Sequence, residues 1–174
     1  MILKKSSVTN PQSSFGETSD TANSATLGSE AELGQDNYIY VRMRNRGGSA
    51  AANVKATVYW APISTLVTHD IWNLVGSTTL SNVPTGNLLT VSNAITWPSA
   101  DIPAEGHYCF VALIGNAADP TPAPADFLSF SNFRTFIRAN NNVTWRNFTV
   151  VYNTSPPAAS PPDYVLLPFM VVSA

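Results

Sequence analysis

The sequence predicts an all-β protein, an immunoglobulin-like antiparallel β-sandwich with one short helix and an extended N-terminal arm. In several short segments apolar and polar residues alternate with a period of two, the pattern of a strand with one buried and one solvated face. Turn residues separate these segments about every ten residues, a spacing typical of sandwiches. Strand-like and helix-like segments do not alternate, so a parallel α/β sheet is not expected.

The composition describes one weakly charged domain. The chain has 174 residues, of which 44% are hydrophobic and 11% charged, so it can bury a core under a surface of small polar residues. The formal net charge is −2 and no long run of Lys or Arg occurs, which argues against a nucleic-acid partner. The single cysteine, Cys109, excludes an internal disulfide and a multi-cysteine metal site.

No membrane insertion is expected from the sequence. No stretch approaches the roughly 20 apolar residues that cross a bilayer, and the N-terminus lacks the apolar run of a signal peptide. An export signal would therefore have to lie outside these residues.

Three parts are predicted along the chain. Residues 1–36 form an N-terminal arm with an edge strand, residues 37–155 the sandwich, and residues 156–174 a Pro-rich linker and a C-terminal strand. The arm is predicted because residues 6–36 are rich in Ser, Thr, Asn, Gly and Glu and poor in large apolar residues. Ile2-Leu3 is the predicted edge strand.

Residues 35–62, QDNYIYVRMRNRGGSAAANVKATVYWAP, are predicted as a β-hairpin. Two alternating segments flank Gly47-Gly48, which accept positive φ at low steric cost. The residues predicted to face the core are Ile39, Val41, Met43, Val54, Ala56, Val58 and Trp60. The polar face of the same hairpin carries Tyr38, Tyr40, Arg42, Arg44, Lys55 and Tyr59.

Three further strands are predicted in the middle of the chain. Ile71–Leu80 and Leu88–Trp97 are strand candidates on either side of the turn Val83-Pro84-Thr85-Gly86. His107–Ile114 is apolar on both faces, which predicts the central strand of a sheet that is covered on both sides.

One helix and two strands are predicted towards the C-terminus. Phe130, Phe133 and Ile137 lie at helical spacing, with a cap at Ser129 or Ser131 and with left-handed Asn residues at 140–142 to end the helix. Val143–Tyr152 is predicted as a strand. The run SPPAASPP then predicts a stiff, polyproline-like spacer before a last apolar strand, DYVLLPFMVV.

Four segments together resemble a known family. GQDNYIYVRMRNRG, ANVKATVYWAP, DIPAEGHYCFVALIGNAADP and NNNVTWRNFTVV resemble the Ig-like accessory domains of the cell-adhesion-related (CARDB-like) type in large bacterial extracellular proteins. The resemblance covers most of residues 1–155 and implies a non-catalytic module for spacing, adhesion or docking. AEGHYCF also resembles the tyrosine corner of Greek-key sandwiches, with Tyr108 as its tyrosine. Because Cys109 directly follows Tyr108 and no second cysteine exists, the chain departs from antibody-type domains.

The sequence contains few residues that could carry out catalysis. His69 and His107 are the only histidines, and His107 and Cys109 share a strand face, so they form the best candidate pair. We expect instead that Cys109 is a small core residue and that His69-Asp70 is a turn. No nucleophile elbow, HExxH motif or phosphate loop occurs, so the chain is predicted not to be an enzyme and to need no cofactor.

Metal and glycan binding are the other chemistries considered. Asn116, Asp119 and Asp126 surround a Pro-rich loop, but three oxygen ligands without a dense acidic array make a poor calcium site, and no metal is predicted. Exposed aromatic rings could stack on sugars, yet at least three of the four tryptophans, Trp60, Trp72, Trp97 and Trp145, are expected to be partly buried.

The hairpin's polar face is therefore the candidate interaction face, because Tyr and Arg contribute disproportionately to protein–protein contacts. The same mixture of residues also suits an ordinary solvated sheet, which is the interpretation that the sequence favours. The sequence favours a non-catalytic structural or adhesion module of a bacterial extracellular or surface protein, acting as a spacer or protein-interaction domain. One alternative is a self-assembling protein whose terminal strands pair with neighbouring subunits. Another is a carbohydrate-binding module. The expected partners are thus a protein, a second copy of the chain or a glycan.

Overall fold

The computed structural model describes residues 1–23, 27–28, 30–62, 69–123 and 129–152. Ten strands are present in this part of the chain. They are β1 (Ile2–Lys4), β2 (Glu30–Glu32), β3 (Asn37–Tyr40), β4 (Arg42–Arg44), β5 (Ala51–Pro62), β6 (Asn73–Val83), β7 (Leu89–Val91), β8 (Ile95–Trp97), β9 (Gly106–Gly115) and β10 (Val143–Val151). Two α-helices, α1 (Pro11–Phe15) and α2 (Phe130–Ala139), and two short 3₁₀ helices accompany them.

The strands form a two-layer sandwich. One layer is a five-stranded sheet in the order β2-β10-β9-β5-β6, antiparallel except for the parallel pair β2 and β10. The other layer consists of the antiparallel sheets β1-β3-β8 and β4-β7. Ser92 joins these two small sheets, because its hydroxyl accepts the Val41 N–H at 2.9 Å and its own N–H donates to the Val41 carbonyl. The predicted all-β sandwich is confirmed.

Aromatic rings fill the core between the layers. The rings of Phe110 and Phe148 stack with centroids 3.8 Å apart, and the fully buried Trp97 meets both edge-on. The outer face of the five-stranded sheet is also covered, since Val111, Leu113 and Val143 of that face lie under Phe136 and Ile137 of α2. This double coverage confirms the prediction that β9 is a central strand buried on both faces.

The predicted hairpin is wrong. β4 pairs with β7, whereas β5 pairs with β6 and β9, so residues 45–50 cross from one layer to the other. Neither Gly47 nor Gly48 has a positive φ. An alternating pattern of apolar and polar residues shows only that one face of a strand is buried. Two strands that face each other across a core have the same pattern as two hydrogen-bonded neighbours.

The described residues before β3 pack against the sandwich and do not form an extended arm. β1 adds to β3 as the predicted edge strand, and β2 pairs with the end of β10. Helix α1, which was not predicted, begins after Asn10, whose side-chain oxygen accepts the Ser13 N–H, and it has Pro11 in its first turn. Phe15 of α1 is buried.

Several boundaries also differ from prediction. Leu88–Trp97 forms two strands, β7 and β8, and β6 lies in the opposite layer from β7. Ser129 is the cap of α2, with its hydroxyl accepting the Asn132 N–H. That helix ends at Asn140, but with φ −120° and not in the left-handed conformation. The predicted linker and C-terminal strand lie outside the described residues. No helix in the described ranges is long and apolar enough to cross a membrane.

Candidate functional site

The structure does not bring the six residues of the predicted interaction face together. Lys55 and Tyr59 lie on β5 of the five-stranded sheet, while the other four lie in the opposite layer. The four are Tyr38, Tyr40, Arg42 and Arg44. The single Tyr and Arg face was therefore an artefact of the hairpin, and this placement corrects it.

Tyr40 is fully buried. Its hydroxyl accepts the Val8 N–H at 2.7 Å, and its ring centroid lies 5.5 Å from that of Phe15. The N-terminal segment thus covers the side chain that the alternation pattern had placed in solvent. A tyrosine can be buried when its hydroxyl has a hydrogen-bond partner, and the Val8 N–H provides that partner here.

The remaining residues of the predicted face make local contacts. Arg42 donates to the Thr21 carbonyl at 3.1 Å, and Arg44 pairs with Glu17 at 2.8 Å. Tyr38 is half-buried and Lys55 is exposed. Tyr59 packs against the rings of His69 and Trp72, with centroids 6.4 and 5.5 Å away.

Tyr108 makes the contact expected of a tyrosine corner. Its hydroxyl donates to the Ala104 carbonyl at 2.8 Å, just before β9 begins. Its ring stacks on Phe148 and meets Trp60 edge-on. The residue therefore ties the connection preceding β9 to the aromatic core.

The His107 and Cys109 side chains do not form a catalytic pair. Each bonds across to β10, His107 Nδ1 with Thr149 Oγ1 at 3.0 Å and Cys109 Sγ with Asn147 Oδ1 at 3.3 Å. Burial raises the pKa of the Cys109 thiol, although a side-chain hydrogen bond with Trp145 opposes the shift. A raised pKa is the opposite of what an activated thiolate requires.

The loop after β9 is organised by Asn116. Asn116 Oδ1 accepts the backbone N–H groups of Ala118 and Asp119 at 3.0 and 2.8 Å, which makes it a turn residue. Asp126, the third ligand considered, lies outside the described residues. Within the described ranges, no group of three or more His, Cys, Asp or Glu side chains could hold a metal ion.

The outer edge of β10 is the candidate interaction site that the structure adds. The Ile114 N–H bonds to the Asn142 carbonyl, so in this antiparallel ladder the even-numbered residues of β10 face β9. The odd-numbered residues, beginning with Val143, direct their N–H and C=O groups outwards. Among the described strands, only β2 pairs with this edge, and it reaches only Thr149–Val151.

A groove of about 1060 Å³ opens between the two layers, at the end of the sandwich where β10 begins. β4 forms one wall, and the starts of β5 and β10 with the end of β9 form the other. Met43, Val54, Ala112 and Ile114 line it with apolar side chains. β1 pairs with β3 and, through a single bridge, with Leu27, so in the described part of the chain it does not extend along β4.

The basic groups of Arg42, Arg146 and the Met1 α-amino group lie close together beside β10. Arg146 donates from Nη1 to the Met1 carbonyl at 2.6 Å and from Nη2 to the Gly28 carbonyl at 2.7 Å. Burial, together with Arg146 and Arg42, lowers the pKa of the Met1 α-amino group to about 5. Burial and the neighbouring Arg42 also lower the pKa of Arg146. Burial therefore leaves the Met1 amine uncharged at neutral pH, while Arg146 is a partly desolvated cation.

Comparisons with known proteins bear on the fold. No protein-family model matches the chain, and no curated protein matches it significantly in sequence. Among solved structures, the chain is similar to the CARDB domain of a Pyrococcus furiosus protein in complex with di-metal ions. The identity is 16% and the TM-score 0.46, over 72% of this chain and 87% of that one.

A crustacean hemolymph-type prophenoloxidase is also similar, with 11% identity and a TM-score of 0.51. The match covers 74% of this chain and 26% of the prophenoloxidase chain, so the sandwich corresponds to about a quarter of that protein. At this identity the likeness concerns the fold alone and does not extend to activity.

The aromatic residues do not form a flat sugar platform among the described side chains. Trp97 is fully buried, Trp60 and Trp72 are half-buried, and Trp145 is 42% exposed. The half-exposed rings of Tyr59, His69 and Trp72 are tilted by 44° to 61° to one another. Stacking on a sugar ring needs coplanar exposed faces, so this cluster does not favour a glycan site.

Proposed function

We propose that this chain is a non-catalytic immunoglobulin-like module of a bacterial extracellular or surface protein and that it acts as a protein-interaction domain. The observation that carries the proposal is the outer edge of β10, where Val143 directs its backbone N–H and C=O groups away from the sheet beside an open groove. An exposed strand edge binds an extended segment of another protein through main-chain hydrogen bonds.

The chemistry of the strongest nucleophile candidate agrees with a binding role. Cys109 is buried, bonds to Asn147, and has a raised thiol pKa. The bacterial and extracellular setting rests on the family resemblance and on the low charge content. The alternative to be distinguished from this proposal is that the module binds no other protein and serves only as a spacer.

The test is a binding screen with edge variants. The immobilised full chain is exposed to a panel of extracellular matrix proteins and purified bacterial surface proteins. Val143→Pro removes the outward N–H at the first residue of β10, where proline is tolerated, and Val143→Ala is the matched control that keeps it. Binding that is lost in V143P and retained in V143A supports the proposal. Absence of binding across the panel favours the spacer role.

Self-assembly is a second candidate function. It is favoured by the groove together with the apolar run DYVLLPFMVV that follows the described sandwich. Light scattering after size exclusion, over a hundredfold concentration range, measures it directly.

A further inference from the structure

We propose that the outer edge of β6 pairs antiparallel with the same edge of a second copy of this chain, with Thr79 of one copy opposite Thr79 of the other. The two five-stranded sheets would then join edge to edge about a two-fold axis. The inference goes beyond the proposed function, because β6 lies at the opposite edge of the sheet from β2 and β10.

The hydrogen-bond ladder determines which groups of β6 point outwards. The Ile114 N–H bonds to the Asn142 carbonyl, so the even-numbered residues of β9 face β10 and its odd-numbered residues face β5. Leu113 lies opposite Thr57, so the odd-numbered residues of β5 face β9 in turn. The even-numbered residues of β5 therefore face β6.

Three residues of β6 direct their backbone N–H and C=O groups away from the sheet. Ala56 lies opposite Thr78, so the even-numbered residues of β6 face β5, and the outward residues are Ser77, Thr79 and Ser81. All three are exposed. In the described part of the chain, their outward backbone groups have no hydrogen-bond partner.

Both ends of this open edge are defined by neighbouring contacts. The Val83 carbonyl also points outwards, and Asn45 Nδ2 donates to it at 3.2 Å. At the other end, β8 of the opposite layer approaches β6, since a Cβ on Gly76 would come within 2.9 Å of Ile95 Cγ2. The edge that can accept another strand is therefore Ser77–Ser81, which is centred on Thr79.

This edge lacks the charges that usually prevent strand edges from pairing. Residues 73–83 contain no charged residue and no proline, whereas exposed edges commonly carry Lys or Pro. Lys55 lies opposite Thr79 on β5. In the proposed dimer the two Lys55 side chains would be three strand spacings apart, about 14 Å, which exceeds the Debye length of about 8 Å at physiological salt.

The edge is complementary to itself. With Thr79 opposite its own copy, Ser77 lies opposite Ser81 of the second copy, and every outward residue exchanges a pair of main-chain hydrogen bonds. On the outer face this arrangement sets Thr beside Thr and Ser beside Ser, pairs that can hydrogen-bond through their hydroxyls. On the core side, the half-buried Leu80 would pack beside Thr78 of the second copy.

A second copy fits this edge better than a flexible peptide does. β5 already holds β6 as a strand of eleven residues, so pairing two such strands costs little backbone entropy. An unfolded segment would lose that entropy at every residue it orders. A peptide also gains specificity from pockets for its side chains. The outer face here offers only the small hydroxyl side chains of Ser77, Thr79 and Ser81.

The experiment measures the molar mass of the full chain by sedimentation equilibrium. The concentrations span a hundredfold range up to about 1 mM, because an edge roughly 17 Å long is a small interface and predicts a weak dimer. Thr79→Lys and Thr79→Glu each place like charges directly opposite each other, and Thr79→Val is the uncharged, β-branched control. The substituted side chain is exposed, so folding should be preserved.

We expect the wild type and T79V to approach twice the monomer mass as the concentration rises. T79K and T79E should each remain monomeric. An equimolar mixture of T79K and T79E should dimerise at least as well as the wild type, because opposite charges then face each other across the pair.

Cysteine variants test the register under mild oxidation. Thr79→Cys should give a disulfide-linked dimer, since directly paired Cα atoms lie about 5.5 Å apart. Two copies of Ser77→Cys would be about 14 Å apart and should not cross-link, whereas a mixture of S77C with Ser81→Cys should. The native Cys109 is buried and should not compete.

Three results would overturn the inference: a wild type that stays monomeric, a dimer that persists in T79K, or cross-linking of S77C alone as fast as that of T79C. A dimer that persists in T79K but is lost in V143P would assign self-assembly to β10 instead. The proposed function is tested separately, because T79K leaves β10 unchanged and should still bind any protein whose binding depends on Val143.

Discussion

Arg146 connects the N-terminal segment to the five-stranded sheet, and its removal should cost about 3 kcal/mol of unfolding free energy. One guanidinium donates to the carbonyls of Met1 and Gly28, which lie at the start of β1 and just before β2. A hydrogen bond to a charged group contributes about 1.5–3 kcal/mol. The Gly28 bond is exposed and the Met1 bond only partly buried, so each is taken at the lower end of that range, about 1.5 kcal/mol, and the two together give about 3 kcal/mol.

The assay is urea unfolding of Arg146→Ala beside two comparison variants. Arg146→Lys keeps the charge but cannot donate in two directions from a planar group, so we expect it to recover about half of the loss. Arg134→Ala removes an exposed arginine of α2 and should change stability by less than about 0.5 kcal/mol.

Hydrogen exchange distinguishes a local role from a global one. The Leu3 N–H donates to the Leu27 carbonyl, next to the residue that Arg146 holds, so its exchange should accelerate more than that of amides in β9. A loss below about 1 kcal/mol in R146A, or equal acceleration throughout the sheet, would refute the reasoning.

Four further predictions concern the amine, the core, the tyrosine corner and the thiol. The pKa of the Met1 α-amino group, about 5 in the folded chain against 8.0 ordinarily, means that the unfolded chain binds more protons between these values. Stability should therefore fall by up to about 4 kcal/mol as the pH drops from 8 to 5, and N-terminal acetylation should remove that slope. Phe148→Ala should cost about 3–5 kcal/mol in thermal or urea unfolding, because it empties the stack in the core, and a loss under about 2 kcal/mol would contradict this packing. Tyr108→Phe should cost about 1 kcal/mol through loss of the bond to Ala104, with an unchanged stability arguing against that bond. The Cys109 thiol should react with a disulfide reagent only on unfolding, since burial hides it and raises its pKa; fast labelling of the native chain would disprove this.

The candidate site shows where sequence reasoning succeeded and where it did not. The period-two patterns located β3 to β5 and identified their core-facing residues, because side-chain alternation follows directly from strand geometry. The same patterns placed Tyr40 in solvent. Its burial depends on Phe15 and Val8, more than twenty residues earlier, in a segment whose polar composition concealed a short helix.

The groove had no local signal in the sequence. Among the described strands, β1 pairs with β3 and β2 with the end of β10, so neither reaches the strand ends that flank the opening. Pairing partners are chosen by contacts between residues distant in the chain, and a hydrophobic pattern specifies which face is buried but not which strand lies alongside. The roles of Arg146 and Met1 were unpredictable for the same reason, since 145 positions separate them.

By itself, the sequence determined the all-β class, the central position of β9, a serine cap for α2 at Ser129 or Ser131, and the shortage of catalytic groups. These features depend on local periodicity, on residue chemistry and on composition. Only the tertiary structure decided that β4 and β5 lie in opposite layers, that the N-terminal segment covers Tyr40, and that β2 is the one described strand on the outer edge of β10 and pairs with its end. Those outcomes depend on long-range pairing, whose free energy is shared among many distant residues and leaves no pattern in any single stretch of the chain.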